Sequence, residues 1–120
     1  MSHYFAEPTG PERRRTVDVR FWDTDWTFTT ASGVFSHDGL DLGTGVLLRT
    51  HTPAPGARRL LDLGCGFGPI AVGLAVAGPA VTVDAVDVNE RALALTRDNA
   101  DAHGVGGRVW ALLPADADPD

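Results

Sequence analysis

The feature that most constrains the fold is a glycine-rich turn between an apolar strand and an apolar helix. Residues 59–63 read Arg-Leu-Leu-Asp-Leu, residues 64–68 read Gly-Cys-Gly-Phe-Gly, and Pro69 begins the apolar run that follows. Glycines so closely spaced let the backbone turn sharply and approach a ligand without an intervening Cβ. Proline suits the first position of a helix, where its missing N–H leaves no hydrogen bond unmade. The pattern predicts a ligand-binding turn at the carboxyl end of the first strand of an open α/β sheet.

The residues after this turn alternate between helix and strand signals. We predict, in order, a helix over 70–77, a strand over 81–86, a helix capped by Asn89 and closed by Gly104, and a strand over 108–113. With the first strand, this order is βαβαβ, the N-terminal half of a Rossmann-like, doubly wound α/β sheet. Parallel strands and right-handed crossovers are expected.

A β-hairpin is predicted in front of this half-sheet. Apolar and polar residues alternate over 16–22, residues 23–25 supply turn chemistry, and Trp26 and Phe28 continue the alternation. The aromatic side chains favour packing against the main domain over stacking on a base.

We therefore divide the chain into two parts. Residues 1–57 comprise an arm, the hairpin and a short helix over 40–48, and residues 58–120 form the cofactor-binding βαβαβ half. Gly43 and Gly45 weaken the short helix by about 1 kcal/mol each relative to alanine. Close approach of a ligand and simple crowding explain these two glycines equally well.

Composition narrows the class of protein. A net charge of −6 over 120 residues argues against a chain-wide electrostatic surface for nucleic acid. No apolar run approaches the ~20 residues of a membrane span, and no secretion signal is visible, so we expect a cytoplasmic protein with no membrane partner.

We expect no metal site. The single cysteine, Cys65, lies inside the turn, which favours a small residue beside a ligand over a catalytic thiol.

Pro69 and Asp62 favour one class of ligand for the turn, and Asp87, which NAD sites share, indicates a nucleoside without saying which. A dinucleotide site requires the spacing Gly-x-Gly-x-x-Gly, and here Pro69 stands where its last glycine belongs. Asp62 would repel a pyrophosphate but attract the ammonium and sulfonium groups of S-adenosylmethionine. Asp87 ends the second strand about 20 residues after the first glycine of the turn, where a carboxylate accepts hydrogen bonds from ribose hydroxyls. The site favours S-adenosylmethionine over NAD, while Asp84 is predicted to face solvent or a helix.

The chain resembles a known family of enzymes. Residues 61–69 and 87–92 resemble motif I and the acidic loop of class I S-adenosylmethionine-dependent methyltransferases. Upstream, residues 33–36 (Gly-Val-Phe-Ser) and 40–44 (Leu-Asp-Leu-Gly-Thr) resemble the small-domain group that includes bacterial 16S ribosomal RNA guanine-N2 methyltransferases. The resemblance covers nearly the whole chain and implies the Rossmann-like fold of that class.

The resemblance also implies a cofactor site for S-adenosyl-L-methionine. Its residues would come from the turn and the strand ends: Thr44, Asp62, Gly64, Cys65, Gly66, Gly68, Asp87, Val88 and Asp116. Asp62 and the turn glycines would line the methionine end, Asp87 would bind ribose, and Val88 would flank adenine. Thr44 would help to cover the cofactor. Asp116 would lie near the adenine amine, although a solvated acidic tail explains it equally well.

One departure from the family concerns catalysis. The family's catalytic element is an Asn-Pro-Pro-(Tyr, Phe or Ile) loop after the fourth strand, and no Asn-Pro occurs in this sequence. Asn89 and Asn99 are no substitutes, since one is predicted to cap a helix and the other to lie within it. We therefore expect a C-terminally truncated chain that holds the cofactor, carries no catalytic residue, and is inactive or completed by a partner.

Three hypotheses for function follow. The first is methyl transfer to a guanine exocyclic amine of ribosomal RNA, with ribosomal RNA or the small ribosomal subunit as partner. The second is the same chemistry on a protein glutamine or a small molecule. The third is a non-catalytic S-adenosylmethionine-binding fragment, favoured by the missing loop.

Overall fold

The structure, a computed structural model, describes residues 11–34 and 59–117. In chain order the elements are β1 (Arg14–Phe21), β2 (Thr24–Ala31), β3 (Arg59–Leu63), α1 (Pro69–Ala77), β4 (Thr82–Val86), α2 (Glu90–Ala102), β5 (Val109–Leu112) and a 3-10 turn (Pro114–Asp116). The helix predicted over 40–48 lies outside the described residues. Neither helix of the described ranges is long and apolar enough to cross a membrane.

Strands β3, β4 and β5 form a parallel sheet in the order β3-β4-β5. The α/β fold predicted from the sequence is confirmed, and β3 lies at an edge of the sheet. Val83 and Ala85 of the central strand are fully buried on the face that α1 and α2 cover. Asn89 caps α2, because its side chain accepts hydrogen bonds from the N–H groups of Arg91 and Ala92.

The hairpin of β1 and β2 packs on the outer side of the helices, which makes a third layer. Phe21 and Trp26 are buried and stacked, with ring centroids 4.7 Å apart. Phe28 contacts Phe67 of the glycine turn at 6.0 Å between ring centroids. A Cβ added to Gly73 of α1 would lie 2.9 Å from the Phe21 ring, so the hairpin tip rests directly on that helix. The prediction that these aromatic side chains pack against the main domain is confirmed.

The hairpin turn lies one residue earlier than predicted. Trp22 and Asp23 form a two-residue turn with φ of 51° and 56°, and residues 24 and 25 already belong to β2. The prediction that residues 23–25 form the turn is wrong. The observed register pairs Val19 with Trp26, which keeps the apolar side chains of both strands on one face.

The prediction that Asp84 faces solvent or a helix is wrong. Asp84 is buried on the face of the sheet away from the helices, where its Oδ2 lies 2.8 Å from Nη2 of Arg59. In the strand register Asp84 stands between Leu61 and Trp110. Alternation alone would leave this carboxylate exposed, and it does not reveal the ion pair with Arg59, which lies 25 positions earlier in the chain.

Candidate functional site

The glycines of the turn have different structural tasks. Gly64, Gly66 and Gly68 all have positive φ, at 73°, 58° and 96°. A Cβ at Gly64 or Gly66 would meet no atom of residues 11–34 or 59–117 within 4 Å, so these parts of the chain leave the space in front of the turn open. A Cβ at Gly68 would lie 3.1 Å from the backbone and side chain of Thr96. The first two glycines leave room for a ligand, and the third lets α2 pack closely against the turn.

Asp62 places a buried carboxylate beside this open space. Its side chain is 7% exposed and accepts a hydrogen bond from the N–H of Ala71, at the start of α1. No donor in the described part of the chain reaches its Oδ2. Burial raises the pKa of Asp62 from 3.8 to about 6, and the nearby charge of Asp87 adds to the shift. A buried oxygen without a partner needs one, and a cationic ligand would supply it.

Asp87 joins the turn to the loop before α2. Its Oδ2 accepts a hydrogen bond of 3.0 Å from the N–H of Gly66, and its Oδ1 accepts one of 2.9 Å from the N–H of Asn89. A carboxylate has about four lone-pair sites, so both oxygens retain capacity to accept hydroxyl groups. Val88, the next residue, is exposed.

The remaining predicted site residues differ in how they are placed. Cys65 is buried, and burial raises the pKa of its thiol to about 12, so the thiol stays protonated and is a poor nucleophile. Asp116 lies exposed in the 3-10 turn after β5. Thr44 lies outside the described residues. Over residues 11–34 and 59–117 the structure contains no group of three His, Cys, Asp or Glu side chains that could hold a metal ion.

Two residues that support the turn were missed by the sequence analysis. Thr96 donates a hydrogen bond of 3.0 Å from its hydroxyl to the carbonyl of Gly66. Asn99 donates one of 2.7 Å to the carbonyl of Phe67. Both are buried polar side chains three positions apart on the apolar face of α2. That spacing was visible in the sequence, but their partners, about 30 residues earlier in the chain, were not.

Together these groups suit a ligand with a cationic end and a hydroxylated end. The unpaired Oδ2 of Asp62 suits an ammonium group, and the two oxygens of Asp87 suit neighbouring hydroxyls. The open side of Gly64 and Gly66 leaves room for the part between them.

Comparison with known proteins connects this site to one family. The family model described as methyltransferase small domain matches residues 25–116. An uncharacterised Bacillus subtilis protein, YbxB, is 38% identical over 104 residues, which cover 86% of this chain and 52% of that protein. Ribosomal RNA small subunit methyltransferase C of Citrobacter koseri is 42% identical over 105 residues, or 83% of this chain and 30% of that protein. The chain thus spans about half or less of the length of these relatives.

A solved structure shows the same fold. The Thermus thermophilus 16S rRNA N2 G1207 methyltransferase (RsmC), in complex with AdoMet and guanosine, superimposes with a TM-score of 0.71 at 26% identity. The match covers 88% of this chain and 29% of that one.

Proposed function

The chain belongs to the methyltransferase small-domain family, and on this premise we propose that it binds S-adenosyl-L-methionine for methyl transfer to ribosomal RNA. The observation that carries the proposal is the buried Oδ2 of Asp62, which has no hydrogen-bond partner among the described residues and lies beside the glycine turn. A buried carboxylate without a partner is costly unless a ligand completes it.

The cofactor is held at its two ends by carboxylates. Asp62 accepts hydrogen bonds from the α-ammonium group, and its charge attracts the adjacent sulfonium. Asp87 accepts the ribose hydroxyls while its bonds to Gly66 and Asn89 keep it in place. Gly64 and Gly66 let the backbone approach the ligand, and exposed Val88 packs against the adenine. The roles of Thr44, Cys65, Gly68 and Asp116 in this site are proposed from the family resemblance.

The chain contributes binding and orientation to the reaction. S-adenosylmethionine, when bound, supplies an electrophilic methyl group for direct in-line displacement. Asp62 and Asp87 would hold the two ends of the cofactor and so limit the orientations that it can take in the site. Positioning of this kind accounts for much of the rate in such reactions.

The proposed acceptor is a guanine exocyclic amine of ribosomal RNA. Ribosomal RNA is supported by the identity, above 30%, to relatives named as ribosomal RNA methyltransferases. The guanine amine is supported by the likeness to the 16S rRNA N2 G1207 methyltransferase. A ribosomal RNA substrate places the protein in the cytoplasm. A protein glutamine or a small molecule is the alternative acceptor.

Calorimetric titration with S-adenosylhomocysteine tests cofactor binding. We expect the 120-residue chain to bind, and Asp87→Asn to weaken binding by about ten-fold, since a charged hydrogen-bond partner is lost. Asp98→Asn is the matched control, because Asp98 is an exposed carboxylate on α2 that pairs with Arg14. No binding by a chain whose near-ultraviolet circular dichroism shows ordered aromatic side chains would refute the proposal.

Tritiated S-adenosylmethionine identifies the acceptor. The purified chain is incubated with small ribosomal subunits, free ribosomal RNA and ribosomal proteins in separate reactions. Label in the RNA supports the proposed acceptor, and nuclease digestion with nucleoside analysis locates it on guanine N2. Label in protein supports the alternative. Cofactor binding without label in any fraction identifies a non-catalytic binding fragment.

A further inference from the structure

Asn99 of α2 forms hydrogen bonds to both the hairpin and the glycine turn. Its Nδ2 donates to the carbonyl of Thr29 at 2.8 Å and to the carbonyl of Phe67 at 2.7 Å. Its Oδ1 accepts from the N–H of Thr29 at 2.8 Å. The side chain is buried. Its bond to Phe67 is buried as well, and its two bonds to Thr29 are partly buried. Both amide N–H groups and the amide oxygen are therefore used.

These bonds make one side chain a partner of both the hairpin and the cofactor turn. Because Asn99 engages both backbone groups of Thr29, its amide takes the place that a third strand would occupy beside β2. The third bond, to Phe67, reaches the turn itself. One helical turn earlier, Thr96 holds the neighbouring carbonyl of Gly66 at 3.0 Å.

The glycine turn needs such support, because glycine at positive φ is conformationally permissive. The N–H of Gly66 must point at Asp87, and its carbonyl is fixed by Thr96. A turn that is already ordered loses less entropy when the ligand binds, which raises affinity.

We propose that Asn99, assisted by Thr96, is a positioning residue that couples docking of the hairpin to the shape of the cofactor-binding turn. The inference rests on the proposed binding of S-adenosylmethionine. By linkage, ligand binding at the turn also strengthens hairpin docking by the same factor. The hairpin is thus part of the cofactor site, although it contributes no direct ligand contact in this scheme.

The decisive comparison is between Asn99→Asp and His103→Ala. The aspartate keeps the size of the side chain but places a carboxylate against the carbonyls of Thr29 and Phe67. His103 is the matched control because, within the described residues, its side chain contacts the hairpin and not the glycine turn. Its Nε2 lies 2.9 Å from the carbonyl of Thr27, and its ring packs against Trp26 and Phe28. Affinity for S-adenosylhomocysteine and amide hydrogen exchange are measured on the full chain for each variant.

Asn99→Asp is expected to weaken affinity by about ten-fold, since buried carbonyls lose their donor. It should also abolish the slowing of hairpin amide exchange that the ligand causes in the unmodified chain. His103→Ala should accelerate hairpin exchange without ligand, yet keep affinity within about two-fold and retain the ligand-dependent slowing. An equal loss of affinity in both variants, or no loss in Asn99→Asp, overturns the proposal.

Two further measurements separate the possible failures. If the unmodified chain does not bind S-adenosylhomocysteine, cofactor binding fails. The positioning claim is then judged by ligand-free exchange of the Gly68 N–H, which bonds to the carbonyl of Cys65. That exchange must accelerate in Asn99→Asp and not in His103→Ala. If Asn99→Asp does not fold, Thr96→Val replaces it. Several-fold weaker binding together with a smaller ligand-dependent slowing of hairpin exchange supports the proposal, and unchanged affinity or an unchanged slowing overturns it.

Discussion

Asp62 carries a charge that its surroundings disfavour. Burial raises its pKa from 3.8 to about 6, the hydrogen bond from Ala71 opposes this shift, and the charge of Asp87 adds to it. Because the folded-state pKa lies above the unfolded value, the folded state binds the proton more tightly. The resulting stability is complete below about pH 4 and is lost as the pH rises through about 6. At neutral pH the ionised carboxylate costs about 3 kcal/mol, which a cationic ligand would offset.

The first prediction is that the affinity for S-adenosylhomocysteine depends on pH, because the ammonium group of this ligand is attracted by the ionised carboxylate of Asp62. Affinity should fall as the pH drops below about 6, because protonation removes the attracting charge. Asp62→Asn should weaken binding at neutral pH, remove this pH dependence, and raise the melting temperature of the ligand-free chain at about pH 7.5. Calorimetry and thermal melts over about pH 5 to 8 measure all three effects. Parallel affinity profiles for the two proteins would contradict the role of Asp62.

The glycine turn yields a second prediction, which separates ligand binding from folding. Gly64→Ala strains a residue at positive φ by about 1–2 kcal/mol, and its Cβ enters the open space in front of the turn. Gly68→Ala has the same kind of strain, and its Cβ also lies 3.1 Å from Thr96. We expect Gly64→Ala to abolish binding of S-adenosylhomocysteine with a small loss of stability. Gly68→Ala should lower the free energy of unfolding by more than Gly64→Ala does, and urea denaturation of both variants measures the difference. The opposite order of stabilities would show that the turn packs differently.

The hairpin yields a third prediction. Trp22 and Asp23 both have positive φ, the conformation of a two-residue turn that favours Asn-Gly or Asp-Gly. Asp23→Gly should therefore stabilise the chain by about 0.5–1 kcal/mol. Asp25→Gly is the control, since it places glycine within β2 and removes the exposed ion pair with Arg20, and it should destabilise. Chemical denaturation of the two variants tests the assignment, and stabilisation by Asp25→Gly instead would favour the turn predicted from the sequence.

Local signals made the central part of the chain predictable. The bounds of β3, Pro69 at the start of α1 and the cap at Asn89 follow from short-range rules, and the structure has them where the sequence placed them. The position of the hairpin turn was predicted wrongly because it was inferred from polar residues. The turn is set by the register of the two strands, which pairs Phe21 with Thr24. Asp84 was misread, and the contacts of Asn99 were missed, for another reason: their partners lie 25 and 70 positions away in sequence. Spacing along the chain contains no information about such contacts.

As a whole, the described part of the protein has one covered and one open sheet face. The hairpin and both helices lie on the same side of the sheet. On the other side Leu61 is 60% exposed, Leu63 is 72% exposed and Trp110 is 45% exposed. Leu61 and Leu63 belong to β3, which is also an edge strand of the parallel sheet. An exposed apolar edge of this kind invites pairing with another chain.

The fourth prediction concerns the solution behaviour that this open face dictates. The 120-residue chain should self-associate at micromolar concentrations, because removing Leu61 and Leu63 from water is favourable by about 25 cal/mol per Å². The double variant Leu61→Thr with Leu63→Thr should be more monomeric in sedimentation velocity and keep its affinity for S-adenosylhomocysteine, since β-branched threonine suits a strand. Leu60→Thr on the helix-facing side of β3 is the control, and it should destabilise the fold without improving solubility. A chain that sediments as one monomeric species and melts cooperatively at every concentration would show that this face needs no cover.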